Sequence, residues 1–464
     1  MSLRHLASIS LLLVSVVAPA QFYNWGWGPE ISVNQIGSTI TCTVWDPYLN
    51  TTRTQSFTSV ASWSHDDGVV ATVSGGGVVT AIVYDLDLAS FRTEQLTSTS
   101  GTTVINSDGI VAWKTGSGIV GAAIYDPDAH TWRDEQFSSN SGNQIQNRDG
   151  VVSWVSSSGI MGAAVYDPGV SQWQDEQFSS NSGNVVQNRD GIVAWVSTSG
   201  ILGAAVYDPS VGQWIDEQFS SNTGNAVVIG QGVVAWKSNS GVLGGAAYNW
   251  TTNTWDDSQF SSSSSNTMPT ITDGTIQWSN SSGAQRYGYT TSGQWQSNVN
   301  TAVRCEYHAE QVSSGGAPHI AYLWCLTLGA SSYSHSCGDG HTITRRWAWK
   351  QYANGGTYTP TLTAFSATTN NTCSGSLTYV NTGLEEPTSG TSFTVSYQDD
   401  LIRVTGDAPL GLIEVLDASG RSVVSARTTD RTLELPGAFA TGLYLVRCYG
   451  SGEVAPTRRL VIER

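Results

Sequence analysis

The sequence predicts an all-β protein: a seven-bladed β-propeller, with six blades as the alternative, followed by two small Ig-like β-sandwiches. Three observations carry this. Trp113, Trp154, Trp195 and Trp236 recur every 41 residues, and Tyr84 to Tyr248 and Trp132 to Trp255 keep the same step. Self-similarity at that period marks a repeat architecture. Each period divides into four short apolar runs separated by Gly, Asn, Asp and Pro, the residues that tight turns need. No amphipathic run of 3.6 period occurs in the repeats, so helices are not expected there.

The first 20 residues read as a secretory signal peptide, with a basic start at Arg4 and His5, an apolar stretch from Leu6 to Val17, and cleavage after Ala20. The stretch is too short to span a membrane, and no later run reaches about 18 apolar residues. No transmembrane segment is expected, and the mature chain should begin near Gln21, outside the cytoplasm. Charged residues make up only 12% of the chain, yet the net charge is −16. Lysine occurs only at Lys114, Lys237 and Lys350. Nucleic acid is excluded as a partner, because phosphate binding needs a basic face. No cofactor is expected.

Residues 21–300 hold the repeats. In the fifth copy the strands are expected at 184–188, 191–197, 201–207 and 213–219. Ile192, Ala194 and Val196 point to one face, Val193 and Trp195 to the other. Strands apolar on both faces belong to sheets packed between sheets, which radial four-stranded blades provide. The Tyr/Trp-Asp-Pro half appears at Trp45-Asp46-Pro47, Tyr84-Asp85, Tyr125-Asp126-Pro127, Tyr166-Asp167-Pro168, Tyr207-Asp208-Pro209 and Tyr248-Asn249, with a degraded copy at Tyr289. Closure is expected through pairing of the segment from Ile31 to Val44 with the last unit. The Tyr-Asp-Pro turn followed by Trp resembles kelch-type propellers. The usual Gly-Gly pair is nearly missing, with only Gly244-Gly245 approximating it, so the resemblance implies propeller architecture rather than kelch membership.

Within the repeats, Asp134 to Phe137, Asp175 to Phe178 and Asp216 to Phe219 share the run Asp-Glu-Gln-Phe. Paired carboxylates can do acid–base work, but a catalytic pair is unique and these recur. A solvated outer strand is expected instead. A ring of calcium sites has no Asp-x-Asp-x-Asp loop behind it, and no metal is expected. Aromatic faces stack on sugars, and Trp132, Trp173, Trp214 and Trp255, which follow turns, are the ligand-binding candidates against a packing role between blades.

Residues 301–380 gather Cys305, Cys325, Cys337 and Cys373. Outside the cytoplasm these read as disulfide candidates with three possible pairings. Cys325–Cys337 for the short loop and Cys305–Cys373 for the long one are preferred. Zinc at His335, Cys337 and His341 is the weaker alternative. Cys42 and Cys448 are not expected to pair. Cys337-Gly338-Asp339-Gly340 and the run from Tyr352 to Thr363 resemble a PKD domain, although the usual Trp-x-Phe before Gly-Asp-Gly is absent. The resemblance implies an Ig-like spacer or weak binding module and no reaction.

A polar linker covers 381–398, and short strand patterns resume over 399–464. Ile413 to Arg421, Gly442 to Arg447 and Arg458 to Ile462 resemble, in order and spacing, the C-terminal sorting domain of the type IX secretion system of Bacteroidota. That resemblance implies passage through the periplasm and across the outer membrane with the type IX machinery as partner. It also implies removal of the domain, then release or attachment to surface lipopolysaccharide. The expected function is a secreted or cell-surface, non-catalytic binding or adhesion protein with an extracellular glycan or protein ligand. A polysaccharide-acting hydrolase or lyase and a structural surface-layer component are the alternatives. No Gly-x-Ser-x-Gly elbow or His-Glu-x-x-His speaks for an enzyme.

Overall fold

The computed structural model describes residues 29–379, apart from 47–48, 50, 87, 313–318, 344–345 and 353–354, and residues 393–462, apart from 399, 407–408, 418–420, 438 and 450–453. The signal peptide and its cleavage site at Ala20 lie outside the described residues. Strands and turns account for all regular structure among the described residues, and no helix is long and apolar enough to cross a membrane. The chain divides into two compact units, one running to Tyr379 and one from Val380.

Seven antiparallel sheets follow one another through the repeats. The first is three-stranded (Ser32–Ile36, Thr39–Asp46, Thr51–Phe57) and the next six have four strands each. Four-stranded meanders of this kind are the sheets from which propellers are built. The fifth has strands Val185–Arg189, Ile192–Val196, Leu202–Asp208 and Gln213–Ser220, within about two residues of the sequence reading. Its first hairpin turns on Asp190 (φ 57°) and Gly191 (φ 77°), the left-handed pair that a two-residue turn matched to strand twist requires. The alternation read from sequence is real. Ile192 and Ala194 join one core cluster, while Val193 and Trp195 join another. The expected closure is corrected: the segment from Ile31 to Val44 pairs with Thr51–Phe57 in its own sheet, and the seventh sheet, Thr270–Thr272 to Trp295–Ser297, supplies its own four strands.

Residues 304–379 form further sheets that pack on the repeats within the same compact unit. The cause is one strand, His319–Leu328, whose ten residues are all buried. Tyr322, Trp324 and Leu326 point into the repeat core, beside Trp347 and Trp349 of the neighbouring strand Trp347–Tyr352. Ala321 and Leu323 point the other way, into the segment's own core. Burying each large side chain contributes about 1.5–3 kcal/mol, so the segment is bound to the repeats by the same force that folds it.

The second unit is a small sandwich. Phe393–Gln398, Leu401–Gly406 and Thr432–Pro436 form one sheet, and Ser422–Thr428, Gly411–Asp417, Gly442–Tyr449 and Val454–Ile462 the other. Phe393, Ile402, Val404, Ile413, Val415 and Val446 fill its core. Its first strand falls in the stretch read as linker, because Phe393 alternates with polar residues too sparsely to stand out.

Candidate binding cleft at the sixth repeat

The repeated residues stack one unit on the next. Each Tyr of the Tyr-Asp pair donates its hydroxyl to the Asp of the preceding unit: Tyr84 to Asp46 (2.7 Å), Tyr166 to Asp126 (3.2 Å) and Tyr248 to Asp208 (2.8 Å), with Tyr125 on Asp85 and Tyr207 on Asp167 in the same way. The other carboxylate oxygen accepts turn amides, as Asp208 Oδ1 does from Ser210. Burial and the adjacent carboxylate push these phenols up, so they remain neutral donors. Asn249 replaces Asp in the sixth unit, and Tyr289 turns to Asp256 instead.

The four candidate indoles at Trp132, Trp173, Trp214 and Trp255 are 5–7% exposed. Trp173, Trp214 and Trp255 donate Nε1 to the backbone carbonyls of Arg133, Gln174 and Ile215 in the preceding unit. Tyr166 and Phe137 meet Trp173 edge-on, at 5.7 and 5.3 Å between centroids. The structure gives these rings a packing role, with little face open for a sugar. Trp195 stacks on Phe178 at 5.6 Å. A Cβ on Gly203 would lie 2.4 Å from that indole, which is why Gly stands there in the regular units.

The outer strands carry their carboxylates exposed, as expected. Burial, then the next unit's Asp175, raises the Glu135 pKa. Burial, then Asp216, raises that of Glu176. The pattern is repeated along the array and offers no unique acid–base pair.

A second ladder runs through the hairpin turns. Asp66 Oδ2 accepts from Asp108 N (2.7 Å), Asp149 Oδ2 from Asp190 N (2.7 Å), Asp190 Oδ2 from Gln231 N, and Gln231 Oε1 from Gly274 N (2.9 Å). Asp66, Asp67 and Asp108 bring oxygens within 4.8 Å of one another. Burial, then Asp149, raises the Asp108 pKa. At Asp190 the ladder meets Arg346, whose Nη2 lies 3.0 Å from Asp190 Oδ1. Burial opposes the guanidinium charge, yet Asp190 holds its pKa above the ordinary value.

Beside that ion pair lies a small cleft, partly open to solvent and about large enough for one water. The fifth and sixth repeats supply Asp190, Ile192, Val206, Gly232, Tyr248 and Trp250, and the packed segment supplies Leu326, Thr327, Leu328 and Arg346. Gly232 (φ 79°) is required here, since a Cβ would meet the Thr327 carbonyl at 2.4 Å. Thr327 is 4% exposed, and its hydroxyl has no partner. Sequence reasoning missed this site. The signal was available: Trp250 stands where regular units have Pro, and Gly230-Gln231 where they have Arg-Asp. What could not be foreseen was the docking of Arg346 across 156 residues.

The cysteines are only partly as expected. Cys305 and Cys373 are bonded. Cys325 and Cys337, expected as the short-loop bridge, are instead free buried thiols placed in different core clusters. Burial pushes both thiols up to about 12. Cys42 and Cys448 are free as well. Of the zinc alternative, His341 faces Asp339 (2.9 Å), which also pairs with Lys350 (2.8 Å). His335 is buried against Tyr307 and Tyr333.

No protein-family profile matches the sequence, and no curated protein does. Among solved structures, similar chains include Kluyveromyces lactis Hsv2, at 12% identity over 58% of this chain and 94% of that one, with a TM-score of 0.27. Another is PorZ, described as a bacterial surface component of the type IX secretion system of Porphyromonas gingivalis, at 11% identity over 93% and 69%, with a TM-score of 0.22. Yeast RCC1 (Prp20), solved with Kap60, matches at 8% identity over 49% and 69%, with a TM-score of 0.26. At these scores the likenesses carry no argument about this chain.

Proposed function

We propose that this chain is a non-catalytic binding protein of the cell surface, exported by the type IX secretion system. In this reading the seven sheets are the blades of a propeller, and the segments after it are Ig-like modules. The observation that carries export is the place of the three sorting-domain motifs. Ile413 to Asp417, from the first motif, Gly442 to Arg447 and Arg458 to Ile462 fall on neighbouring strands of a single sheet. The sheet belongs to a unit with its own core, the property of a module that folds alone. The binding role rests on the repeats themselves: among the described residues their carboxylates and indoles recur from unit to unit, stacked or exposed in parallel, and none forms a unique acid–base pair.

The test is a deletion from Val380 onward, since a cut at 399 would strand Phe393–Gln398 without its sheet. In a type IX-competent cell the shortened protein should stay in the periplasm, folded, while residues 380–464 fused to an unrelated periplasmic passenger should carry it to the surface or medium. Normal arrival of the shortened protein at the surface would end the reading.

A further inference from the structure

We propose that the outer face of the first sheet is a docking surface for a neutral polysaccharide, with Trp45 as its aromatic platform and rows of hydroxyls beside it. The proposal rests on the binding role above and names its ligand class and its place.

Interior sheets are covered on both faces, because each unit packs on the one before and the one after. The first has no unit before it. Its central strand Thr39–Asp46 pairs in unbroken register with Thr51–Phe57, so its side chains alternate between two faces. Ile40, Cys42 and Val44 point towards the second unit and share a core with Val70, Ile82 and Tyr84. Thr41, Thr43 and Trp45 point the other way. In the fifth unit the same places hold Gly203, Ala205 and Tyr207, all buried in stacking.

In the first sheet this face is polar and open. Register sets Thr41 beside Ser56, Thr43 beside Thr54 and Trp45 beside Thr52. The hydroxyls lie 3.1 Å apart in the first pair and 3.4 Å apart in the second, and both pairs are exposed. Ser32 and Asn34 of the neighbouring strand extend the same rows. Strand geometry spaces the rows by about 7 Å along the strands and the columns by about 5 Å. The face is therefore a lattice of groups that donate and accept, ending at an indole that is 36% exposed.

Two contrasts separate it from an end cap made for solubility, the ordinary use of a polar terminal unit. The seventh sheet has such a cap. Gln277 and Arg286 turn to its far side, exposed, where the sixth has the buried Ala235 and Gly245. Arg286 bonds Asn298 and Asn300 there. The open face of the first sheet carries no charge, in a chain of net charge −16, and it exposes a tryptophan, which a surface made for solubility leaves out. With residues of both end faces exposed, neither face covers the other.

Charge selects the occupant. An ionic ligand finds no countercharge on this face and would lose hydration on docking. A neutral polyol trades hydroxyl for hydroxyl, and the indole takes the apolar side of a sugar ring. An open lattice without walls suits an extended chain of sugars rather than one enclosed ring.

The experiment is native affinity electrophoresis of the full mature chain in gels containing hydroxyethyl cellulose, mannan or starch, with polygalacturonate as the anionic control. Retardation by at least one neutral polymer is expected, and raising the ionic strength should leave it unchanged. Trp45→Ala should weaken it by roughly tenfold, about 1.4 kcal/mol, with little change in Tm because the ring is exposed. Trp45→Phe should retain part of it. Thr41→Val together with Thr43→Val, which keeps side-chain volume, should weaken it severalfold. Retardation untouched by both Trp45→Ala and the double threonine change overturns the proposal. So does retardation by polygalacturonate alone, or by none of the polymers. Self-association of the chain that Trp45→Ala abolishes, with no polymer bound, gives the face to a second copy instead. Reducing ends assayed in the same mixtures separate the two levels. Their release refutes the non-catalytic reading, whereas the failures above refute this face and leave that reading standing.

Discussion

The fifth and sixth repeats are neighbours with nearly the same sequence, yet they are used differently. The fifth reads Arg189-Asp190-Gly191 and Tyr207-Asp208-Pro209, the sixth Gly230-Gln231-Gly232 and Tyr248-Asn249-Trp250. Stacking survives the changes. Gln231 still accepts the next turn's amide, and Tyr289 finds Asp256 in place of Asn249. What changes is the space and charge around the turn. The strand His319–Leu328 meets the sixth turn, where Gly232 leaves room for the Thr327 carbonyl and Gly329 N donates to the Gln231 carbonyl at 2.9 Å. A repeat can therefore reroute its stacking bonds and release positions for other work.

The largest effect expected from this contrast is at the tryptophans. Trp195 is 3% exposed and sandwiched between units. Trp195→Ala should cost about 3–5 kcal/mol, whereas Trp250→Ala, at a half-buried ring, should cost well below that in a thermal melt. Equal losses would mean that Trp250, which packs on Tyr248 and two core clusters, holds the fold as firmly as Trp195.

Next come the ion pairs. Arg346→Ala leaves a largely buried Asp190 with only the more distant, exposed Arg189 (3.8 Å) as countercharge and should destabilise by about 3 kcal/mol, as removal of one partner of a buried pair does. Arg133 reaches Asp126 at 3.2 Å, but its side chain is 39% exposed, so Arg133→Ala should cost no more than about 1 kcal/mol. Denaturant unfolding of the two variants measures the difference, and a milder effect at Arg346 would show that docking does not depend on this pair.

The smallest effect is in pH. Glu135, Glu176 and Glu217 have folded pKa values raised by burial, then by the next unit's Asp. A folded pKa above the unfolded one means that the folded chain binds protons more readily. Their penalty is then fully present above the folded pKa and relieved as pH falls through it. Tm should rise on acidification from about pH 7 to about pH 5. Further acidification should reverse the trend, because Lys350 and His341 hold Asp339 below its ordinary value despite its burial, and that stabilisation is lost as pH falls through the depressed pKa. The sixth unit has Ser258 where the second to fifth have Glu, so Glu176→Gln should flatten the rise while a change at Ser258 to Ala should not.

Much of the repeat fold was legible because its signals are periodic and local. The fifth unit's four strands, the Asp-Gly turns and the two-faced strand around Trp195 follow from residue spacing alone. Residues 301–379 were legible as β structure but not as part of the repeat core. Alternating burial of Tyr322, Trp324 and Leu326 looks the same in an independent sandwich. The cleft was illegible for a related reason: Arg346 and Asp190 carry no mutual signal in sequence, and Trp250 gains meaning only once both are side by side. The fate of Cys325 and Cys337 was decided by which core each strand faces, which counting cysteines cannot reveal.

The tyrosine-to-aspartate bond always points from a unit to the one before it. The array therefore has a direction, and its two ends are chemically unlike. Asp46 begins it as an acceptor, while Tyr289 is followed by Thr290 and leaves no carboxylate for a further copy. A 41-residue duplication inserted among the middle units would carry its own donor and acceptor and could slot in without rewiring its neighbours. The same duplication after the seventh unit would find nothing to hold its tyrosine. The array is thus open to added copies from within and sealed at its tail.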